Sequence, residues 1–513
     1  MKQDTRDRRW VILLVLCVTV FLVVVDNTIV NVALPTLSER LKATDSDLQW
    51  IVDGYSLPFA GLLLAGGGFS DRYGRRRVMQ TAILAFGVFS LLAARSTNIS
   101  ELLVARALMG AAAAFIFPAT LSLLTTTFDD TAERAKAFGF WGATSGVAVA
   151  FGPIVGGALI THYWFGSIFL VNIPIVVVAF VAVALVVPES RAPRPKRFDW
   201  PALLVGSAAI TLLVFAIIEG PTWGWGTGST LGLLALSALF FFVSVICELR
   251  REEPLLDVRV FTNRGFTAGA ASIATSFFCL FGFIFLVTQY FQLIRGYSAF
   301  SAGVHTLPFA FVTMIATPLG AVLALRIGTR YVVSVGLLVM GAALVWMATI
   351  SASAQYLGPV IDSMIVLALG FSLITAPSTA AIMKSLPPAQ IGAGAAVNET
   401  TREIGGTLGV AVVGSVFSSL FTPQVRMALF HLRLSRLQLD AAQGSMQSAL
   451  GVLRQVPRSS PAFSDVSREV TSAFMNGFHR GCLVAAFASI LMGIAVFQFL
   501  PKEAARKEEL VLA

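Results

Sequence analysis

Five charged side chains stand in stretches of this chain that otherwise carry almost none: Asp26, Asp53, Arg106, Glu399 and Glu403. Asp362 is a weaker sixth, nearer the end of its stretch. Where water is excluded a charge is costly, so a chain that keeps one there uses it to hold an ion, pass a proton or meet a charged cargo. Arg106 has the sign to hold one or both aspartates ionised, and protonation of an aspartate would loosen that grip. A purely structural buried ion pair is the alternative. Glu399 and Glu403 are spaced i, i+4 and share one helical face. Two acids crowded in a low dielectric resist being ionised together. Such a pair suits the uptake and release of a proton, and an ionised member attracts a lipophilic cation, the more so beside aromatic rings. Arg402 next to them could partner an acid or snorkel. A satisfied polar contact is the alternative for either glutamate.

The elements that must position these groups follow from composition. The chain has 513 residues, 56% hydrophobic and only 13% charged, with a mean hydropathy of +0.80. A soluble domain is about half apolar and a quarter charged, so lipid is the expected solvent. Apolar runs long enough to cross a bilayer centre near residues 22, 59, 86, 112, 147, 176, 210, 239, 278, 314, 341, 370, 406 and 487. Runs of about 20 residues suffice to span, and lipid leaves them no choice but helix. Fourteen helices are predicted, in an all-α polytopic membrane protein. The first run continues past Trp10 to about Leu34, too long for a signal peptide. At 1.5 Å per residue, Asp26 lies roughly 24 Å into the first helix. Asp53 and Arg106 fall in the far thirds of the second and fourth, at a similar level.

Basic residues place the two faces. With the N-terminus in the cytoplasm, the loops on its side hold Arg72, Arg75, Arg76 and Arg77, then Arg191, Arg194, Lys196 and Arg197, then Arg250, Arg251 and Arg259. The short loops opposite hold Arg40, Lys42, Arg95 and Arg295. This is the positive-inside pattern. It predicts both termini in the cytoplasm, and it accounts for the net charge of +9 without nucleic acid. Residues 422–475 are expected to form a long extracytoplasmic loop, either an amphipathic helix or hairpin on the membrane surface or capping the outer mouth, built on Leu429, Leu432, Leu437 and Leu439, or a loosely packed insertion.

Further residues carry conformational rather than chemical signals. Gly67, Asp71, Arg72, Gly74, Arg75 and Arg76 form a tight basic turn after the second helix, expected to act as a latch between conformations. Leu325-Arg326-Ile327-Gly328-Thr329-Arg330 repeats it faintly after the tenth, as duplicated transporter halves do. The fifth helix carries Gly139, Gly142, Gly146, Gly152, Pro153, Gly156 and Gly157, a packing face or a hinge and seal. Asn31, Asn172, Gln289 and Gln292 are uncharged polar residues at membrane depth. Gln289 could line a cavity or bond between helices. Cys17, Cys247, Cys279 and Cys482 read as small apolar residues, with no metal-ligand or CxxC spacing. No Walker A loop, HExxH or GxSxG occurs, and the four histidines are scattered. No enzyme is expected.

Several of these segments resemble a known family. Gly67-Gly68-Phe69-Ser70-Asp71-Arg72-Tyr73-Gly74-Arg75-Arg76-Arg77 is similar to the signature between helices 2 and 3 of the major facilitator superfamily. Arg106-Ala107-Leu108-Met109-Gly110 resembles its helix 4 motif, and Gly152-Pro153-Ile154-Val155-Gly156-Gly157 its helix 5 antiporter motif. Asp26 to Pro35 resembles the helix 1 motif of its fourteen-helix drug:proton antiporters. Trp50 to Leu57 and Asn398 to Glu403 point within these to quaternary-ammonium and dye exporters of Gram-positive and actinobacterial cells. Tyr163-Trp164-Phe165-Gly166 departs from the usual Trp-Arg-Trp, and the ninth helix lacks a central acid.

The resemblance implies two six-helix bundles, residues 1–187 and 264–513, with two inserted helices in 188–263. It implies a proton-coupled antiporter for lipophilic cationic drugs and dyes in the bacterial cytoplasmic membrane, monomeric, needing no cofactor beyond the proton gradient. Asp26, Asp53, Glu399 and Glu403 would serve proton coupling and cation recognition, with Arg106 in the coupling set and Gln289 near the cargo. The same fold carrying a lipid, an amino acid or a siderophore is a second reading, and a receptor that binds without pumping is a third.

Overall fold

The computed structural model describes residues 2–128, 130–191, 200–251, 258–385, 391–430, 446–453 and 461–500. The described residues form helices and no strands. In chain order the long helices are α1 (Lys2–Leu41), α2 (Asp45–Tyr73), α3 (Arg75–Ala94), α4 (Ile99–Thr127), α5 (Thr131–His162), α6 (Ser167–Val186, broken at Val171), α7 (Trp200–Trp223) and α8 (Gly228–Arg250). They continue as α9 (Arg264–Gln289, prolonged by a wide π turn Tyr290–Ile294), α10 (Ala299–Ile327), α11 (Thr329–Met347), α12 (Ile361–Lys384), α13 (Ile391–Phe430) and α14 (Pro461–Phe499). Thirteen are long and apolar enough to cross a membrane. The fourteenth, α2, qualifies as a bent span, turning by 55° between Asp45–Leu63 and Ala65–Tyr73. The bend falls beside Gly66, Gly67 and Gly68, and runs of glycine are where helices bend.

Short polar residues start several helices. Thr44 and Asp47 form a reciprocal capping box at α2, while Asn98, Asn263 and Ser298 cap α4, α9 and α10 through their side-chain oxygens. Asp362 lies exposed in the first turn of α12, where the helix dipole favours an acid.

Two bundles of the same design flank α7 and α8. In the first, α1 packs on α5, α2 on α4, α3 on α4 and α3 on α6. In the second, α9 packs on α13, α10 on α12, α11 on α12 and α11 on α14. Every pairing recurs at an offset of eight helices. Small residues let these helices approach. A β-carbon on Gly66 would overlap the backbone of Ala114, one on Gly110 that of Tyr55, and in the second bundle one on Gly405 or Gly409 would overlap Ala274 or Phe278. The turns after α2 and α10 repeat as well. Gly74 and Gly328 have φ of 108° and 95°, a region that favours glycine, and their N–H groups close on Ser70 O and Ala324 O.

The bundles meet along two seams, α2 on α13 and α5 on α10, themselves related by the same offset. Lys2 and Leu500, the first and last described residues, bound an even number of long helices and so lie at one end of the bundle, and the seams are tight toward the opposite, far end. There Gly157 abuts the backbone of Ala299 and Phe300, Gly303 abuts Pro153, Gly414 abuts Gln49, and Gln292 Nε2 donates to Val32 O at 2.8 Å. Gly152 and Gly156 instead press on Thr28 and Ile29 of α1, so the α5 glycines serve packing within the bundle and closure between bundles. Gly142 and Gly146 have open space where a side chain would stand.

The inserted α7 lies along the α2–α13 seam. Leu57, Val214, Ile218 and Ala411 are buried together there, Ser415 Oγ donates to Ile217 O, and Glu219 Oε1 accepts from Ser46 Oγ at 2.9 Å and Trp50 Nε1 at 3.0 Å. Glu219 is an acid inside an apolar run that the reading of the sequence did not single out.

The described residues within 422–475 are helical. α13 runs unbroken to Phe430 and α14 begins at Pro461. Phe421, Val425 and Leu429 share a buried cluster with Val466, Val470 and Phe474, so the apolar residues at these two helix ends are covered by packing against one another. A short helix, Met446–Leu453, buries Ala449 and Val452, and Gln447 Nε2 donates to Glu39 Oε2 of α1 at 3.1 Å. Leu432, Leu437 and Leu439 lie outside the described residues, as do Arg194, Lys196 and Arg197.

Because Gly157 has no room for a side chain, Gly157→Leu is expected to part α5 from α10 at the far side. In a cysteine-free background, Val32→Cys should then react several-fold faster with an impermeant maleimide added from the side opposite the termini. An unchanged rate would show that this contact does not hold the seam closed.

Candidate functional site

The interior of the first bundle is organised around one ion pair. Arg106 Nη1 of α4 donates to Asp26 Oδ2 of α1 at 2.7 Å, and both side chains are fully buried. Asn172 Nδ2 of α6 donates to Asp26 Oδ1 at 2.7 Å and to Ser90 Oγ of α3 at 3.0 Å, and Ser90 Oγ donates to Phe169 O. Arg106 Nε donates to Ile51 O of α2 at 3.1 Å, and its guanidinium lies 4.4 Å from the centroid of the Tyr55 ring. Five helices therefore contribute to one polar knot. The sequence set Arg106 against one or both of Asp26 and Asp53, and pointed to Asn172 separately. Ser90 and Tyr55 were missed, since a serine and a tyrosine are unremarkable inside a membrane helix.

Asp53 is not part of the knot. It is fully buried in α2, one turn from Gln49, and neither carboxylate oxygen has a hydrogen-bond partner among the described residues. Arg106 thus holds one aspartate of the expected pair and not the other.

In α13, Glu399 and Glu403 are both buried, but their surroundings differ. Glu399 Oε2 accepts from Arg402 Nη1 at 2.9 Å. The same guanidinium stacks 4.5 Å from the Phe277 ring centroid of α9. Arg402 is therefore committed to Glu399 and does not snorkel away from both acids. Glu403 Oε2 has no partner among the described residues. Tyr55 lies within electrostatic reach of Asp26 and Arg106 and also of Glu403, from the other bundle. Its hydroxyl donates to Val23 O at 3.4 Å. Gln289 does not open onto a cavity: it is 2% exposed and Nε2 donates to Phe285 O one turn back.

The basic turn after α2 is a fixed structure with a partner the sequence did not suggest. Asp71 Oδ1 accepts from Arg75 at 2.7 Å, one turn on. Glu189, just past α6, accepts from Arg76 N at 3.2 Å and sits 3.7 Å from Arg77 Nε, while Arg76 Nη2 donates to Ala184 O. A β-carbon on Gly74 would crowd the Glu189 carboxylate. Arg72 lies 5.7 Å from the Tyr73 ring centroid, and Gly67 approaches Pro118 of α4. The turn thereby ties α2 and α3 to the end of α6, all within the first bundle.

Two repeated six-helix bundles, each with buried charges inside it, define a polytopic membrane protein of transporter architecture. A model of the major facilitator superfamily matches residues 16–410, and the chain belongs to that family. It is 34% identical over 502 residues to the multidrug efflux pump LfrA of Mycolicibacterium smegmatis, covering 96% of this chain and 97% of that one. It is 33% identical to the tetracenomycin C resistance and export protein of Streptomyces glaucescens over 81% of this chain and 77% of that one. The methyl viologen resistance protein SmvA of Salmonella typhimurium is 32% identical, with 88% and 90% covered. Among solved structures, a bacterial homologue of the human lysosomal transporter Spinster superposes with a TM-score of 0.65 at 17% identity, covering 97% of this chain and 99% of that one. The nucleoside transporter NupG does so at 0.58 and 10%, covering 96% and 100%. These two likenesses concern the fold.

Breaking a buried ion pair by removing one partner costs about 3–5 kcal/mol, because the other charge stays buried and unpaired. Asp26→Asn should therefore lower thermal stability in detergent markedly, and adding Arg106→Gln should restore part of the loss. Equal destabilisation by the single and double variants would show that the pair is not what holds this interior together.

Proposed function

We propose that this protein is a proton-coupled antiporter that exports lipophilic cationic drugs and dyes by alternating access. It would lie in the bacterial cytoplasmic membrane with both termini in the cytoplasm. The proton gradient drives it, with no cofactor and no ATP, and a single chain suffices. The observation that carries this reading is the pair of buried carboxylates, Asp53 and Glu403, that keep oxygens without partners on the two helices forming one seam. An anion at membrane depth without a partner is costly. Either a proton or a lipophilic cation relieves that cost, and antiport needs the two to exclude each other. Glu399 is balanced by Arg402 and so contributes to recognition rather than to the proton step. Asp26 and Arg106 fix the level and orientation of α2 behind Asp53.

The orientation rests on the basic turns, all on the side of the termini. The cargo class is supported by the relatives named above, a multidrug efflux pump and a methyl viologen resistance protein among them. Efflux with the far side closed, as here, corresponds to the stage at which cargo is taken up from the side of the termini.

Glu403→Gln is expected to insert normally yet reduce proton-driven ethidium transport in inverted vesicles to the level of empty vesicles. Asp53→Asn should do the same, whereas Glu399→Gln should change the range of cations carried. Wild-type ethidium transport and proton release by Glu403→Gln would overturn the assignment of that residue.

A further inference from the structure

A groove of about 700 Å³ runs down the membrane-facing side of the second bundle, between α13, α14 and the turn joining α7 to α8. Its α14 wall is a single helical stripe, Asn476, Arg480, Leu483, Val484 and Phe487, spaced by three and four residues. Val416, Ser419 and Leu420 of α13 face it, and Trp225 of the α7–α8 turn closes the far end. It is open to lipid, since Phe487 is 69% exposed. The polar residues are gathered at one end. Gly477 packs on Phe417 and Gly481 on Val413. Arg480 therefore stands at the level of residues 413–417, beside the far-side contact of Gly414 with Gln49. From there toward the middle of the membrane the stripe becomes wholly apolar.

We propose that this groove is a binding site for an anionic phospholipid of the leaflet opposite the termini. Arg480 forms no ion pair or hydrogen bond among the described residues, and a basic residue at that depth answers to a phosphodiester. The Asn476 amide and the Ser419 hydroxyl are placed to meet the phosphate and ester oxygens beside it. Below them Leu483, Val484 and Phe487 offer a strip on which an acyl chain can lie, and the volume is within the range of pockets that hold one small molecule. The order of chemistry along the groove, cation, then amide and hydroxyl, then hydrocarbon, matches the order along a lipid from headgroup to tail. A lipophilic cation fits it poorly, because Arg480 would repel it. The site is thus separate from the acids of the α2–α13 seam, and its lipid bridges the inserted helices to the second bundle.

The test is native mass spectrometry of the full-length protein, delipidated in detergent and offered phosphatidylglycerol and phosphatidylcholine with identical acyl chains. Phosphatidylglycerol should be retained preferentially. Arg480→Gln should weaken that retention roughly fivefold, the worth of one basic residue near a charged headgroup, while Arg480→Lys keeps it. Val484→Trp, which fills the apolar strip without touching the charge, should weaken retention of both lipids. Equal retention of the two lipids by the wild type, or unchanged preference in Arg480→Gln, would overturn the proposal. So would displacement of the lipid by inorganic phosphate, which would reduce the site to a bare anion contact.

Discussion

An ion pair sealed from water cannot be left half made. Removing a carboxylate and a guanidinium from solvent costs of order several kcal/mol per ion, and only close geometry with further hydrogen bonds repays it. Asp26 and Arg106 go most of the way to that condition: Asn172 occupies the second carboxylate oxygen and Ile51 O accepts from the guanidinium, leaving only Arg106 Nη2 of the pair without a partner among the described residues. The consequence reaches through the first bundle. α1, α2, α4 and α6 must hold their register to keep these contacts, and α3 joins through Ser90. The rest of that bundle is arranged around a fixed electrostatic centre, and the second bundle has its own smaller one in Glu399 and Arg402.

Close helix packing is what gives such short polar contacts room to form. Apolar side chains gain nothing by leaving lipid for protein, so helices associate through contact and hydrogen bonding. Glycines at the crossings bring backbones together at Gly66 with Ala114, Gly110 with Tyr55 and Gly409 with Phe278. At the seams the same device serves a different purpose. A contact made of backbone against glycine has little side-chain interlock, so it can close tightly and still be released.

The architecture was largely legible in the residues. Hydrophobic run length and the asymmetry of Arg and Lys mark helices in lipid strongly, and the Gly74 and Gly328 turns gave a repeat that the positive φ of both glycines bears out. Asp26, Asp53, Arg106, Glu399 and Glu403 were visible because charge at depth is rare. Their pairings were not, since spacing along a helix fixes a face but says nothing of which neighbour fills it. Hence Arg106 was open to both aspartates, and Arg402 to either glutamate. Glu189 and Glu219 were overlooked for opposite reasons. The first stood among ordinary loop charges, the second near the end of an apolar run. The full lengths of α13 and α14 were obscured because Arg, Gln and Ser interrupt the apolar pattern toward those helix ends.

The placement of α7 makes the two sides of the protein unequal. The bundles are related by repetition, and so are the seams between them, yet only the α2–α13 seam carries an inserted helix, bonded to α2 through Glu219 and to α13 through Ser415. Among the described helices neither α7 nor α8 packs extensively on the α5–α10 seam. A two-fold machine has thus been given a spine on one flank. On that flank the bilayer approach to the α2–α13 seam is covered by α7, whereas among the described residues the α5–α10 seam has no such cover and depends on its own glycine contacts.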